Sequence, residues 1–389
     1  MSRIEELIKQ YCPDGVHYED LGKVCVFKRG STITKKDTIE GNVPVIAGGQ
    51  QPSYYHNQCN RDGETIAISS SGAYAGFVSY WTIPVFLSDS FSVSPNPNLL
   101  LTKFVYYFLK NIQEEIHSTK KGSGVPHVQG ASISKFPIPI PPLPVQEEIV
   151  RILDKFTELE AELEAELEAR KKQYEFYRNK LLTPVEENGK WMMNGEEVEW
   201  KTLGEICEFS NGKGHEKEIV ENGKFIVVNS KFVSTEGKVV KYANNQICPL
   251  FKDDILIVMS DLPNGKALAK CFFVTKDNVF TLNQRIGRLS VKNTREVFSK
   301  YLFYFLNRNK QLLRYDNGVD QTNLRKDNIL TIIISIPQIS KQEGIVEILD
   351  KFDSLVNDIS IGLPAEIEAR RKQYEYYRNR LLSFKRIDS

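Results

Sequence analysis

The sequence predicts an α+β fold in which two pseudo-symmetric α+β domains are separated by two long helices packed as an antiparallel coiled coil. Three observations predict it. Residues 146–182 form a glycine- and proline-free stretch with apolar residues at helical spacing. A close copy returns as QEGIVEILDKF at 342–352 and ARRKQYEYYRNRLL at 369–382. The segments that precede the two stretches, 1–145 and 191–341, also match one another.

In the first helical stretch the stripe runs through Ile149, Ile152, Phe156, Leu159, Leu163, Leu167, Tyr174, Tyr177 and Leu181. The unit Leu-Glu-Ala-Glu at 159–162 repeats at 163–166 and again, ending in Arg170, at 167–170, a strongly helix-forming composition. At about 1.5 Å per residue such a helix reaches roughly 55 Å, longer than an ordinary globular helix needs. The second copy runs through Ile345, Ile348, Phe352, Leu355, Ile359, Ile367, Tyr374, Tyr377 and Leu381. Its first half matches at an offset of 196 (Asp154 to Asp350) and its second at 200 (Ala169 to Ala369), so four residues are added around Gly362, Leu363 and Pro364. Glycine followed by proline stops one helix and starts another, and a break is expected there. An apolar stripe also lets a helix lie on its own domain. Two equivalent rods in one chain can instead cover each other, antiparallel, which is the arrangement expected here.

The chain divides into a first domain at 1–145, a helical spacer at 146–182, a linker with the second domain at 183–341, and a C-terminal helical region at 342–389. Leu21, Gly22, Cys25, Phe27 and Gly30 fall on Leu203, Gly204, Cys207, Phe209 and Gly212 at an offset of 182. Short β-like segments follow: Val43–Ile46, Thr65–Ile68 and Phe77–Trp81 in the first domain, Phe225–Val228, Ile255–Val258 and Cys271–Thr275 in the second. Each domain then carries one amphipathic helix, at 102–117 and 294–313, and a proline-marked extended stretch, at 136–144 and 332–337, feeding the rod. Residues 183–198 read as a link. Internal duplication of this kind suits a partner that is itself nearly two-fold.

With 41% hydrophobic and 26% charged residues the composition is that of a globular protein able to bury full cores. The net charge of +1 does not announce a polyanion partner. Its distribution is uneven, since 22 basic against 17 acidic residues leave +5 over 191–341, whereas 13 against 12 leave +1 over 1–145. Six scattered cysteines without a Cys-x-x-Cys pair read as reduced thiols. There is no signal-like N-terminus and no membrane-length apolar run, so a cytoplasmic location is expected.

Motifs of catalysis are missing. No phosphate-binding Gly-x-x-x-x-Gly-Lys-Ser/Thr occurs, Ser69–Gly76 has the wrong spacing for a nucleotide loop, and His17, His56, His117, His127 and His215 have no metal-ligand spacing. Asn96-Pro97-Asn98 stops short of the tetrad that amino-methyltransferases use. No catalytic, cofactor-binding or metal-binding residue is therefore assigned. What the domains do carry is loops rich in side chains that can read nucleic acid. In the first domain the candidates are Lys28, Arg29, Ser31 and Thr32; Gln50; Ser70 and Tyr74; and Lys120, Lys121, Ser123, His127 and Gln129. In the second they are Asn211, Lys213 and His215; Asn229 and Lys231; Asn264 and Lys266; and Asn317, Gln321, Asn323 and Arg325. Ordinary surface turns have a similar composition, but the candidate loops recur at equivalent places in both domains. A coiled-coil scaffold that never touches DNA, and a methyltransferase or nuclease with an unrecognised active site, are the alternatives.

The strings Pro142-Leu-Pro-x-Gln-Glu-x-Ile-Val-x-Ile-Leu-Asp-Lys-Phe156 and Glu368-Ala-Arg-Arg-Lys-Gln-Tyr-Glu-Tyr-Tyr-Arg-Asn-Arg-Leu-Leu382 resemble the conserved regions of type I restriction-modification specificity subunits. The resemblance covers nearly the whole chain, most specifically in the rods. It implies two target recognition domains, each reading half of a bipartite, gapped double-stranded DNA site, without chemistry of their own. It also implies helices that set the spacing and dock two methyltransferase subunits, which methylate adenine N6. S-adenosylmethionine, ATP and Mg then belong to partner subunits, including two restriction subunits where these join.

Overall fold

The computed structural model describes residues 3–122, 124–263, 265–358 and 361–387. These fall into two compact units, Met1–Ala165 with Glu366–Ser389, and Glu166–Ala365.

Each unit is built on the same pair of sheets. In the first unit the strands Cys25–Arg29, Ser90–Pro95, Thr65–Ser69 and Val78–Trp81 lie side by side in that order, all antiparallel. A second sheet orders Tyr54–His56, Val43–Ile46 and Phe86–Leu87, the last pair parallel. The second unit repeats the plan with Cys207–Asn211, Ile286–Val291, Ile255–Val258 and Cys271–Phe273. Its other sheet orders Ile219–Val220, Tyr242–Ala243, Phe225–Val228 and Phe280–Leu282, again closing on a parallel pair. The central strands Thr65–Ser69 and Ile255–Val258 are buried along their whole length, which is why they read as short continuous apolar runs.

The helix after these strands packs its aromatic face on the larger sheet, burying Phe104, Tyr107 and Phe108 in Thr102–Asn111 and Tyr301, Tyr304 and Phe305 in Ser299–Leu306. It is also where each domain grips its rod. Buried Gln146 accepts a hydrogen bond from Leu101 N at 2.9 Å and donates to the carbonyls of Leu99 and Pro141 at 2.7 Å. Buried Gln342 does the same with Phe298 N, Glu296 O and Pro337 O, each at 2.8 Å. Lys103 and Tyr107 both donate to Asp154, at 2.8 and 2.5 Å, and Lys300 and Tyr304 to Asp350, at 2.7 and 2.5 Å. Glutamine and aspartate recur in the rod motif because they tie it to the domain in front of it. Burial, then the bond to the carboxylate, raises the pKa of both tyrosines, so the phenols stay protonated as donors.

The first rod is one helix, Leu143–Leu182. The second is two, Ile339–Asn357 and Leu363–Leu381, so the break expected at Gly362–Pro364 is present. A side chain at Gly362 would place its Cβ 2.4 Å from Ser354 O, so the tight passage there excludes one. Ile359 lies outside the described residues. Within the first unit the early part of the first rod packs against the last helix, running antiparallel. Phe156 stacks on Tyr377 at 5.5 Å, and further along Arg371 bonds Glu160 at 2.6 Å and Glu164 at 2.5 Å. Within the second unit the later part of the first rod meets Ile339–Asn357, with Tyr177 stacked on Phe352 at 5.6 Å. Arg178 donates to Tyr304 O at 2.6 Å and to Asn307 O, and Arg378 donates to Asn111 Oδ1 at 3.1 Å in the first unit. Each domain is thus held by the front of its own rod and the back of the other.

The structure differs from the sequence reading in four places. Residues 183–198 are not a bare link: Val185–Glu187, Lys190–Met193 and Glu196–Glu197 form a three-stranded antiparallel sheet, and Met193 and Val198 join the second unit's core. The 102–117 and 294–313 helices are each broken, at Ile112 and Asn307–Asn309. An N-terminal helix, Arg3–Tyr11, was not anticipated. Ile348 and Leu355 are exposed, while Val346, Leu349 and Val356 are buried in their stead.

Candidate nucleic-acid interface

In the first unit four loops meet at one end of the larger sheet. Arg29, Ser70, His127 and Gln129 line a single cleft of about 360 Å³ whose apolar wall includes Phe27, Phe91 and Val128. Val128 N donates to Ser70 O at 2.9 Å, and Lys121 and His127 exchange two backbone bonds of 2.9 Å, which brings the 120–129 loop against the 69–74 loop. Gln50 is exposed on a turn pressed against Ser71, since a Cβ at Gly48 would lie 2.6 Å from Ser71 O. Lys28, Ser31, Thr32, Tyr74 and Lys121 are exposed, and Lys120 is half-buried. Ser123 lies outside the described residues. Ser70 is corrected: it is buried and its hydroxyl donates to Asp89 at 2.6 Å, with Ser71 donating to the same carboxylate, so its proton is committed inside the protein. Sequence reasoning missed Arg61. It donates to the carbonyls of Lys28 at 2.9 Å and Arg29 at 3.1 Å and to Ser92 Oγ at 2.8 Å, bracing the strand that presents Lys28 and Arg29.

In the second unit Asn229 and Lys231 line a cleft of about 550 Å³ together with Glu216, Lys241, Asn283 and Arg285, none of them anticipated. Asn211, Lys213, Lys266, Asn317, Gln321, Asn323 and Arg325 are exposed, but none lines this cleft. Asn264 lies outside the described residues. His215 is corrected: it is wholly buried, with Nδ1 against Lys213 O at 2.7 Å and Nε2 against Thr281 Oγ1 at 2.9 Å, so it anchors the loop and offers nothing to solvent. Two more amides are partly spent on shape. Asn229 Oδ1 caps the helix Ser230–Ser234 by accepting from Phe232 N at 2.9 Å, and Asn317 Oδ1 accepts from Val319 N and Asp320 N at 3.0 Å. Asp261 organises the 261–268 loop through Leu262 N at 2.9 Å and Ala267 N at 2.7 Å.

Backbone bonds fix which positions correspond. Val128 N to Ser70 O at 2.9 Å matches Leu324 N to Met259 O at 2.7 Å, so Gln129 and Arg325 are equivalent, each preceding a short helix, Gly130–Ile133 or Lys326–Leu330. Ser70 N to Asp89 O at 3.0 Å matches Met259 N to Arg285 O at 3.1 Å, so Asp89 and Arg285 are equivalent. No cluster of three or more His, Cys, Asp or Glu among the described residues could hold a metal. Burial pushes the thiols of Cys25 and Cys207 up to about 12, which makes them core residues in chemistry as well as place. No helix among the described residues is long and apolar enough to cross a membrane.

Two copies of one scaffold, with different side chains at loop positions that the same backbone bonds match, define an internally duplicated protein with two polar loop surfaces. The family model for the type I restriction modification DNA specificity domain matches residues 13–169 and again 195–369. The chain belongs to that family and is a specificity subunit with two target recognition domains. It is 36% identical over 313 residues to the specificity subunit of the type I restriction enzyme EcoR124I/EcoR124II of Escherichia coli, covering 75% of this chain and 73% of the relative. A putative type I restriction enzyme specificity subunit of Haemophilus influenzae is 31% identical over 358 residues, 89% of each chain. The crystal structure of a type I restriction-modification S subunit from M. genitalium shares the fold, with a TM-score of 0.60 at 19% identity over 95% of this chain and 97% of that one.

Proposed function

We propose that this chain supplies the DNA sequence specificity of a type I restriction-modification enzyme without itself doing chemistry. Each target recognition domain reads one half of a bipartite, gapped double-stranded site, the helices set the gap and dock two methyltransferase subunits, and adenine N6 is methylated by those partners. S-adenosylmethionine is theirs, and ATP and Mg belong to restriction subunits where these join. Work on chromosomal DNA places the complex in the cytoplasm. The observation that carries this reading is the pair of matched loops, in which the backbone bonds are repeated and the exposed side chains that follow them, Gln129 and Arg325, are not. Glutamine suits adenine and arginine suits guanine, so the two domains are fitted to different bases.

Phe176 and Tyr376 occupy equivalent places on the two rods and are 61% and 60% exposed, each edge-on to the following tyrosine. We assign them to methyltransferase docking, because matched exposed aromatics on a duplicated rod suit two copies of one partner. The test is an assay with labelled S-adenosylmethionine. Chain alone should transfer nothing, chain with methyltransferase should methylate a gapped site, and replacing Phe176 and Tyr376 with alanine should weaken co-purification. Transfer by the chain alone would sink the proposal.

A further inference from the structure

The second unit's cleft holds a cation that has no counterpart in the first. Arg285 stands in the turn between Phe280–Leu282 and Ile286–Val291, where the first unit has Asp89. Asp89 is consumed by two serine hydroxyls. At Arg285 the neighbouring loop supplies Met259 and Ser260 instead, and Ser260 Oγ accepts from Gln321 at 2.8 Å. The guanidinium of Arg285 makes no hydrogen bond or ion pair among the described residues, although its backbone is fixed by Met259 N on one side. Such an unspent fork, held on a rigid turn at the mouth of a cleft, is pre-organised for an external acceptor.

The rest of the cleft says which acceptor. Lys231 and Lys241 would suit phosphate anywhere. Glu216 would not, because a carboxylate in the same cleft repels a phosphate. Arginine and glutamate lining one cleft instead match the major-groove edge of a G·C pair, where guanine N7 and O6 accept and cytosine N4 donates. Glu216 Oε1 already accepts from Gln284 Nε2 at 3.3 Å, leaving Oε2 for that donor. Resting on the DNA-reading function proposed above, we infer that Arg285 is a specificity-determining residue that reads a guanine in the second domain's half-site.

The test uses the full chain with the methyltransferase of its own system and maps methylated adenines across a chromosome for wild type, R285A and R285K. The second domain's half-site is the one that survives exchange of residues 1–140. In wild type it should contain a G·C pair, and both variants should accept other bases there, discrimination falling roughly five- to hundredfold while the other half-site is unchanged. Lysine keeps the charge but loses the bidentate fork. If R285K behaves as wild type and R285A weakens every sequence alike, Arg285 is a phosphate contact and the inference is overturned. A wild-type half-site made of A·T pairs alone overturns it without any variant having to fold, as does an unchanged motif in both variants. Methylation by wild type without sequence preference would instead remove the proposed function itself.

Discussion

The two recognition domains agree where they meet the rods and disagree where they open to solvent. Gln146 and Gln342 make the same three hydrogen bonds, and Asp154 and Asp350 take the same lysine and tyrosine. At the other end Arg29 faces its cleft where the second unit has Asn211, Gln129 stands for Arg325, and Asp89 for Arg285. The residues that tie each domain to its rod are the same in both copies, whereas those that differ are loop residues whose change alters what the domain can bond. Replacing a buried amide with three partners strands those partners, whereas an exposed loop residue with none can change at little cost.

The comparison breaks most completely if the domains are exchanged. Replacing residues 1–140 with the equivalent of another family member should change one half of the methylated site wholly and leave the other intact, read by sequencing modified adenines. A change in both halves would show that the domains are not independent readers. Next comes the gap between the halves. Removing Leu163–Glu166 shortens the helix by four residues, about 6 Å, and turns it by about 400°, one turn plus about 40°. The stripe nearly survives, but Glu164 is lost as a partner of Arg371. The variant, assembled with its methyltransferase, should read both halves with a gap one or two base pairs shorter, given about 3.4 Å per step. Methylation at the original spacing alone would mean that the helix is not the ruler.

Smaller, and sharper as a comparison, is the matched pair Q146A and Q342A. Each strands buried backbone groups that the amide had satisfied, at a cost of about 2–4 kcal/mol. Hydrogen exchange should show Thr102–Asn111 deprotected in the first variant and Ser299–Leu306 in the second, each leaving the other helix protected. Least of all is the effect of alkylating the native protein near pH 8. Cys59 is exposed and should react first, Cys248 more slowly, and Cys25 and Cys207 only on unfolding, because a thiol pushed up to about 12 is almost entirely protonated there. Mass spectrometry of the labelled peptides would show the order.

Much of the scaffold was legible because it is written in periodicity. Val43–Ile46, Phe225–Val228 and Ile255–Val258 are strands at the residues their apolar runs indicate, and the rod and its break follow from a stripe and one Gly-Leu-Pro. Which rod segment covers which domain was not legible, since a stripe says that a face is buried and not against what. The three-stranded sheet at 185–197 escaped because its strands are short and mostly exposed, with Met193 almost alone in pointing inward. At the clefts residue type was a poor guide to posture. His215 and Ser70 have the chemistry of readers and are consumed internally, while Arg285 sits in a turn with no glycine-rich signature. Aligning Asp89 with Arg285 at the offset of 196 that relates the rods was the signal that could have found it.

The first unit closes only when the end of the chain arrives. Leu381 and Leu382 lie in its core, Tyr18 OH donates to Phe384 O at 2.9 Å, and Val16 N donates to Lys385 O at 2.9 Å. On the ribosome the domain made first is therefore finished last. After residue 165 about 200 more must be added before its closing helix exists, about 10–40 s at about 5–20 residues per second. The second unit, contiguous from Glu166 to Ala365, has all of its parts by then. A chain truncated after residue 365 and released should accordingly protect the later domain from protease while leaving the earlier one open along the face that Tyr374, Leu381 and Phe384 cover. Order of synthesis and order of completion run in opposite directions, and through that interval the exposed apolar face of the first domain is what a chaperone would find.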